Sequence, residues 1–269
     1  MINAMLGITK VPFFQSENKL LTQQQEIFEV IKIHSQQGGL CVVTGNPGVG
    51  KSVLKEHIEN LRENGDTAVL SFSQTMHSYN KILLQIAESM KLDVSASKIE
   101  KSIRENAFKE VQQRKTLITV IDEAHLIDMH SLRKLRLLFD QFPKKHNLVL
   151  FGQPELMHRL SMKDNEDIKS RITFSRNMLP MEDSDLGQFI LGELENVGLG
   201  AHTIDEAATN LILRSVQGNI RLCCNLCYGA LLESCQDGEK IVNTRHVNAV
   251  LLQPHWRSHG DLIKKQVKR

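Results

Sequence analysis

The sequence predicts an α/β protein: a three-layer αβα core around a parallel five-stranded sheet, followed by a small all-helical domain. Three observations carry that expectation. Short apolar runs alternate with stretches of helical periodicity as far as Leu179-Pro180. The first of these runs ends in a glycine-rich turn that leads into a helix. From Asp183 onward only helical periodicity remains. Strands alternating with helices imply βαβ units, which make neighbouring strands mainly parallel and cover both faces of the sheet.

Leu40-Cys41-Val42-Val43-Thr44 is an apolar run stopped by glycine and reads as the first buried strand. A helix over 53–63 follows, then a second strand over 67–72. Helical stretches over 78–90 and 97–114 precede a third strand at 117–121. A helix over 131–142 leads to the fourth strand, Leu148-Val149-Leu150-Phe151. The fifth strand covers 171–178, where Ile172-Thr173-Phe174 alternates as a half-buried strand does. It carries Arg171 and Arg176, which are costly to bury without an anionic partner. Later helices fall at 185–197, 205–216, 220–235 and 243–252, with Asp205, Asn219 and Asn243 or Thr244 as caps. The expected domains are therefore an α/β domain over 1–180, a helical domain over 181–252 and a basic tail over 253–269. That tail holds Arg257, Lys264, Lys265, Lys268 and Arg269.

Hydrophobic residues at 41% and charged residues at 24% describe an ordinary globular chain. No apolar run approaches the ~20 residues of a membrane-spanning helix. The N-terminus lacks a basic segment followed by a signal core, so a cytoplasmic protein is expected. A net charge of +2 does not announce nucleic-acid binding, although a local patch can still contact DNA. Cys224 and Cys227 have the spacing of half a zinc site, but no second pair of ligands lies nearby. With Cys223 and Cys235 they read as small apolar residues packed on a helix. His255 and His259 read as exposed, not as a metal pair.

Gly45-Asn46-Pro47-Gly48-Val49-Gly50-Lys51-Ser52 matches the P-loop pattern in full, with a strand before it and a helix containing Val53 after it. Glycines let the backbone turn its N–H groups inward around phosphates. Lys51 can then reach the β- and γ-phosphates of ATP, and the Ser52 hydroxyl can ligate Mg²⁺. Thr119-Val120-Ile121-Asp122-Glu123 supplies the second half: an apolar strand ending in Asp122 puts a carboxylate beside the magnesium shell. Glu123 is placed to take a proton from the attacking water; alone, such an acidic pair also reads as a solvated loop. Gln153 ends the fourth strand, where ligands of open parallel sheets sit, and can orient water or simply precede Pro154 in a turn.

These residues resemble the AAA+ ATPases of the ExeA-like group, with the transposition ATPases TnsC, TniB and MuB as relatives. The likeness begins at Pro12-Phe13 and runs through Gly38-Gly39, the P-loop and Ile121-Asp122-Glu123-Ala124-His125. It continues through Leu132 to Leu138, Phe151-Gly152-Gln153-Pro154-Glu155-Leu156, Ser170-Arg171-Ile172 and Gly218-Asn219-Ile220-Arg221-Leu222. The resemblance implies a P-loop AAA+ ATPase core with a helical lid, working as an oligomer, either ring or filament. By position, Gln153 looks like the sensor on the fourth strand. Arg171 matches the arginine that reaches a neighbouring subunit's nucleotide, and Arg221 the second sensor in the lid. Gln217-Gly218-Asn219-Ile220-Arg221 departs from that lid motif in lacking its usual proline. The bland reading of Arg171 is a surface arginine paired with an acid such as Asp167. Arg176, five residues on, falls on the opposite strand face.

Two functions fit the resemblance. The first is an ATPase that oligomerises on double-stranded DNA without base specificity and recruits or activates a transposase. The second is an assembly ATPase acting on a protein partner in secretion or pilus biogenesis. The ExeA-type secretion proteins usually carry a membrane segment and a peptidoglycan-binding region, and neither is present in these residues, which favours the first. Lys98, Lys101, Arg104 and Lys109 on one helix, and Arg133, Lys134 and Arg136 on another, can neutralise phosphates or form ordinary solvated faces.

Overall fold

In a computed structural model, residues 5–13, 20–72, 78–93 and 95–256 are described. The chain divides into two compact units, one of residues 20–179 and one of residues 180–269 together with 1–19. The first unit is built on β1 (Gly39–Gly45), β2 (Thr67–Phe72), β3 (Thr116–Ile121), β4 (His146–Gly152) and β5 (Ile172–Met178). They hydrogen-bond in the order β2-β3-β4-β1-β5, and every neighbouring pair is parallel.

Alternate residues of each strand point to opposite faces, and both faces are apolar because helices cover both. Cys41, Val43, Ile118, Val120, Val149 and Phe151 share a core with α1 (Thr22–Gln37) and α2 (Lys51–Asn60). Ile27 and Ile31 of α1, and Leu54 and Ile58 of α2, repeat at the spacing of one helix face. Leu40, Val42, Leu117, Ile121, Leu148 and Leu150 form the other core with α3 (Tyr79–Ser89), α4 (Ile99–Gln112), α5 (Met129–Phe139) and α6 (Pro154–Ser161). A single turn, α7 (Glu166–Lys169), adds Ile168 to that core before β5. The three-layer αβα arrangement predicted from the sequence is the one observed.

β5 departs from a regular strand. Leu40 pairs with Ile172 but Cys41 pairs with Phe174, so Thr173 is an extra residue, a bulge. The Thr173 hydroxyl takes over the ladder there, accepting from the Leu40 N–H and donating to the Leu40 carbonyl, both at 3.2 Å. Gly39 leaves room for it, since a Cβ there would lie 2.5 Å from Thr173 Oγ1. The bulge sends Ile172 and Phe174 into opposite cores.

The second unit holds α8 (Asp183–Asn196), α9 (Glu206–Val216), α10 (Ile220–Gln236) and α11 (Thr244–Leu251). Asp205, Asn219 and Asn243 accept first-turn N–H groups of α9, α10 and α11, as their residue types suggest. Cys223, Cys227 and Cys235 are buried in its core, and burial pushes the Cys227 thiol well above its ordinary range. The sequence places residue 1 at the start of the α/β domain, and here the structure differs. Ile8 and Phe13 are buried in the helical unit's core instead, and a backbone hydrogen bond from Phe13 meets the buried Glu193. Apolar burial at those two positions outweighs chain order. Of the tail, 253–256 end in a single 3₁₀ turn; His259 and the five basic residues lie outside the described residues. Among the described residues no helix is long and apolar enough to cross a membrane.

Candidate active site

β1 ends at Gly45 and α2 begins at Lys51, so the glycine-rich turn is the whole connection between them. Gly48 and Gly50 adopt left-handed φ of 87° and 94°, which a side chain would disfavour. A Cβ on Gly45 would lie 2.8 Å from Val49 Cγ2, and buried Val49 plugs the loop onto the sheet. Lys51 Nζ donates to the carbonyls of Gly45 at 2.5 Å and Asn46 at 2.9 Å, curling its ammonium over the loop. Ser52 stands exposed in the first turn of α2, with Val53 half-buried beside it. The first-turn N–H groups and positive end of α2 therefore open onto the loop, the setting that binds phosphate.

β4 lies between β1 and β3, so the C-terminal ends of all three strands meet at one edge of the sheet. Gly45, Asp122-Glu123 and Gln153 are brought together by that order alone. Asp122 Oδ1 accepts the Glu123 N–H at 2.8 Å, while Oδ2 lies 3.4 Å from Lys55 Nζ on α2. Lys55 also lies 3.8 Å from Glu59, so a cation already sits against the Asp122 carboxylate. Glu123 holds φ 51°, ψ 33°, a left-handed conformation uncommon for a non-glycine residue and costing about 1 kcal/mol or more. Its Oε2 lies 3.3 Å from His125 Nδ1, and the Gln153 N–H points at that same Nδ1 at 3.4 Å. One ring nitrogen cannot donate to Glu123 and accept from Gln153 at once, so the proton on His125 selects which end it holds. Arg159 of α6 fixes this corner by donating to the carbonyls of His125 at 2.6 Å and Ile127 at 2.7 Å.

The donors suit the groups the sequence suggests. Ser52 Oγ and the Asp122 carboxylate are hard oxygen ligands of the kind Mg²⁺ takes, and the glycine cradle suits a polyphosphate. Lys55, His125, Arg159 and Gln24 are absent from the sequence reading of the site. His125 stands two residues after Glu123 in the Asp-Glu-Ala-His string and is the one legible signal; the others are reached only through tertiary contact.

Arg171 precedes the N-terminal end of β5, a strand length of roughly 20 Å from the loop at its C-terminal end. It is 60% exposed and approaches Asp140 at 4.0 Å, not Asp167. Asp167 meets Arg133 at 3.3 Å and Arg136 at 3.8 Å, and Arg136 also pairs with Asp140 at 3.1 Å. Lys134 sits 5.6 Å from the Tyr79 ring centroid. The basic cluster on α5 is thus largely committed within its own unit. On α4, Lys101 pairs with Glu105 at 3.7 Å, and Arg104 hydrogen-bonds Gln141. Arg176 lies 3.6 Å from Glu26 of α1, on the sheet face opposite α5. Arg221 belongs to the helical unit, exposed in the first turn of α10. Its turn is held without the proline: Gln217 and Gly218 take positive φ, and Met181 N–H donates to the Gly218 carbonyl at 2.9 Å.

Residues 33–160, just under half of the chain, match the family model described as AAA domain. The chain is 25% identical over 258 residues to general secretion pathway protein A of Aeromonas hydrophila, covering 90% of this chain. It spans 47% of that relative's length. Among solved structures it is similar to Cdc6p from Pyrobaculum aerophilum, with TM-score 0.65 and 16% identity over 89% of this chain and 68% of that one. Drosophila ORC bound to DNA gives TM-score 0.66 and 18% identity over 96% of this chain and 66% of that one. The Thermotoga maritima RuvB Holliday junction branch migration motor gives 0.61 and 15%, over 96% and 77%.

Proposed function

From a chain with the P-loop AAA+ ATPase fold, we propose a magnesium-dependent ATPase that hydrolyses ATP when subunits assemble. The observation that carries it is the meeting of the P-loop, Asp122-Glu123 and Gln153 at one sheet edge. In this reading residues Gly45 to Val53 bind the phosphates, with Lys51 on the β- and γ-phosphates. Ser52 and Asp122 hold Mg²⁺, Glu123 accepts the proton of the attacking water, and Gln153 orients that water. Arg171 acts on the nucleotide of the next subunit, and Arg221 closes over bound nucleotide from the helical unit. Lys55 holds the Asp122 carboxylate until a divalent cation takes its place.

The partner we assign is double-stranded DNA, bound without base specificity by an oligomer that recruits or activates a transposase. Support comes from fold likeness to ORC bound to DNA and to a Holliday junction motor. A protein partner in secretion is the second reading, favoured by likeness to general secretion pathway protein A. Phosphate release with Mg-ATP, measured with and without duplex DNA at low and high salt, separates them. Salt-sensitive stimulation by DNA is expected. Hydrolysis indifferent to DNA sinks the first reading, and absence of hydrolysis in assembled protein sinks both.

A further inference from the structure

The P-loop is gripped from a helix that precedes it in the chain. Gln24, in the first turn of α1, is only 2% exposed, and its amide makes two bonds. Its Oε1 accepts the Leu21 N–H at 2.8 Å, closing the N-terminus of its own helix in the manner of a third-position capping residue. Its Nε2 donates to the Gly50 carbonyl at 3.0 Å. Only one amide orientation satisfies both partners, because one offers a donor and the other an acceptor. The side chain therefore spans from the start of α1 to the start of α2.

The second bond bears on the phosphate site. Gly50 stands in the left-handed region at φ 94°, with a glycine's wide conformational freedom. Its carbonyl and the Lys51 N–H belong to one planar trans peptide, so they point in opposite directions. That carbonyl already accepts the Leu54 N–H at 3.3 Å, and its second lone pair takes the Gln24 amide. Two donors on one oxygen hold the peptide plane, which aims the Lys51 N–H outward from the end of α2 into the loop. Without Gln24, the 3.3 Å bond from the Leu54 N–H alone would hold that direction against a glycine's freedom.

We infer that Gln24 is a positioning residue for nucleotide binding: it locks the Gly50–Lys51 peptide so that the loop's N–H is preset toward a phosphate. The inference rests on the P-loop reading above. A buried amide that presets a donor lowers the cost of ordering the loop at binding. It acts equally on ground and transition states, so its loss raises KM and leaves kcat at saturation nearly unchanged.

Gln24→Glu separates the two bonds. A carboxylate still accepts the Leu21 N–H but cannot donate to the Gly50 carbonyl, and it sets negative charge against that oxygen. Gln24→Met keeps the length and loses both bonds. Nucleotide affinity is read by titrating ATP and ADP into wild type, both variants and Lys51→Ala, with thermal melting in parallel. Expected is a Kd about tenfold weaker in both Gln24 variants, with both melting below wild type, because Gln24→Glu buries a charge without a partner and Gln24→Met leaves both bonds unmade. A capping role alone predicts wild-type affinity in Gln24→Glu. That result, or failure of Gln24→Glu to fold, overturns the inference while Lys51→Ala still reports on the P-loop. Wild-type protein that binds no nucleotide overturns the P-loop reading and this inference together.

Discussion

Glu123 is held in left-handed backbone beside His125, so its carboxylate is presented by strain and not by a helix or strand repeat. Replacing it with glutamine keeps the shape and removes the carboxylate that the proposed function makes the base. We expect Glu123→Gln to bind ATP normally and to lose hydrolysis by about 100-fold or more, measured in single turnover; wild-type turnover would remove Glu123 from that role. A second residue predicts the acid response of the fold. His146 is buried among Phe139 and Phe142, bonded to the Thr119 hydroxyl at 2.9 Å, and burial lowers its pKa to about 3. The unfolded chain therefore takes up the proton first. The contribution is complete above about pH 6.5 and is lost as pH falls toward 3. At pH 5 this one group costs about 2 kcal/mol of stability relative to pH 8. Denaturant melts of wild type and His146→Gln across that range should diverge, the variant showing the shallower fall.

At the scale of elements, glycines of equal composition have opposite worth. Gly38 joins α1 to β1 at φ 83°, and a Cβ there would lie 1.9 Å from the Lys144 carbonyl oxygen. Gly187 and Gly192 lie inside α8 with open space around their Cβ positions. Gly38→Ala should cost about 3 kcal/mol, whereas Gly187→Ala or Gly192→Ala should add about 0.5–1 kcal/mol, all read from denaturant midpoints. The same contrast of local and distant causes explains what was legible in the sequence. β1 to β4 and the helices of the second unit carry their own periodicity and caps, as Asp205 and Asn219 do. α1 reads poorly because TQQQEIFEVIKIHSQQ begins at Leu21 with no polar cap and packs through few residues. The β5 bulge at Thr173 and the Gln24 bridge depend on partners far along the chain, Leu40 and Gly50, which no local pattern encodes. In the site, the P-loop and the Asp-Glu pair were legible as motifs, while Lys55 and Arg159 enter only where strands order themselves around β4.

For the whole molecule the proposed function turns on a residue that stands far from its own P-loop. Arg171 and the P-loop stand at opposite ends of the sheet, so in the proposed function Arg171 acts on a nucleotide held by another copy. Its contact with Asp140 at 4.0 Å leaves it 60% exposed, and such pairs hold side chains weakly. An arginine in this state can leave its carboxylate for the stronger field of a triphosphate without disturbing the core. Arg171→Ala should then keep ATP affinity and lose hydrolysis by about 1,000-fold. Lys51→Ala should lack both binding and hydrolysis. Each variant alone is inactive for a different reason, and mixing them places an intact Arg171 from one copy beside an intact P-loop of the other. Phosphate release should rise in the mixture above either variant alone, peak at intermediate ratios, and fall on dilution as the assembly dissociates. A mixture no more active than its components, under conditions where the wild-type assembly is active, would return Arg171 to a surface ion pair. It would also leave the coupling between subunits to be sought elsewhere on the sheet edge.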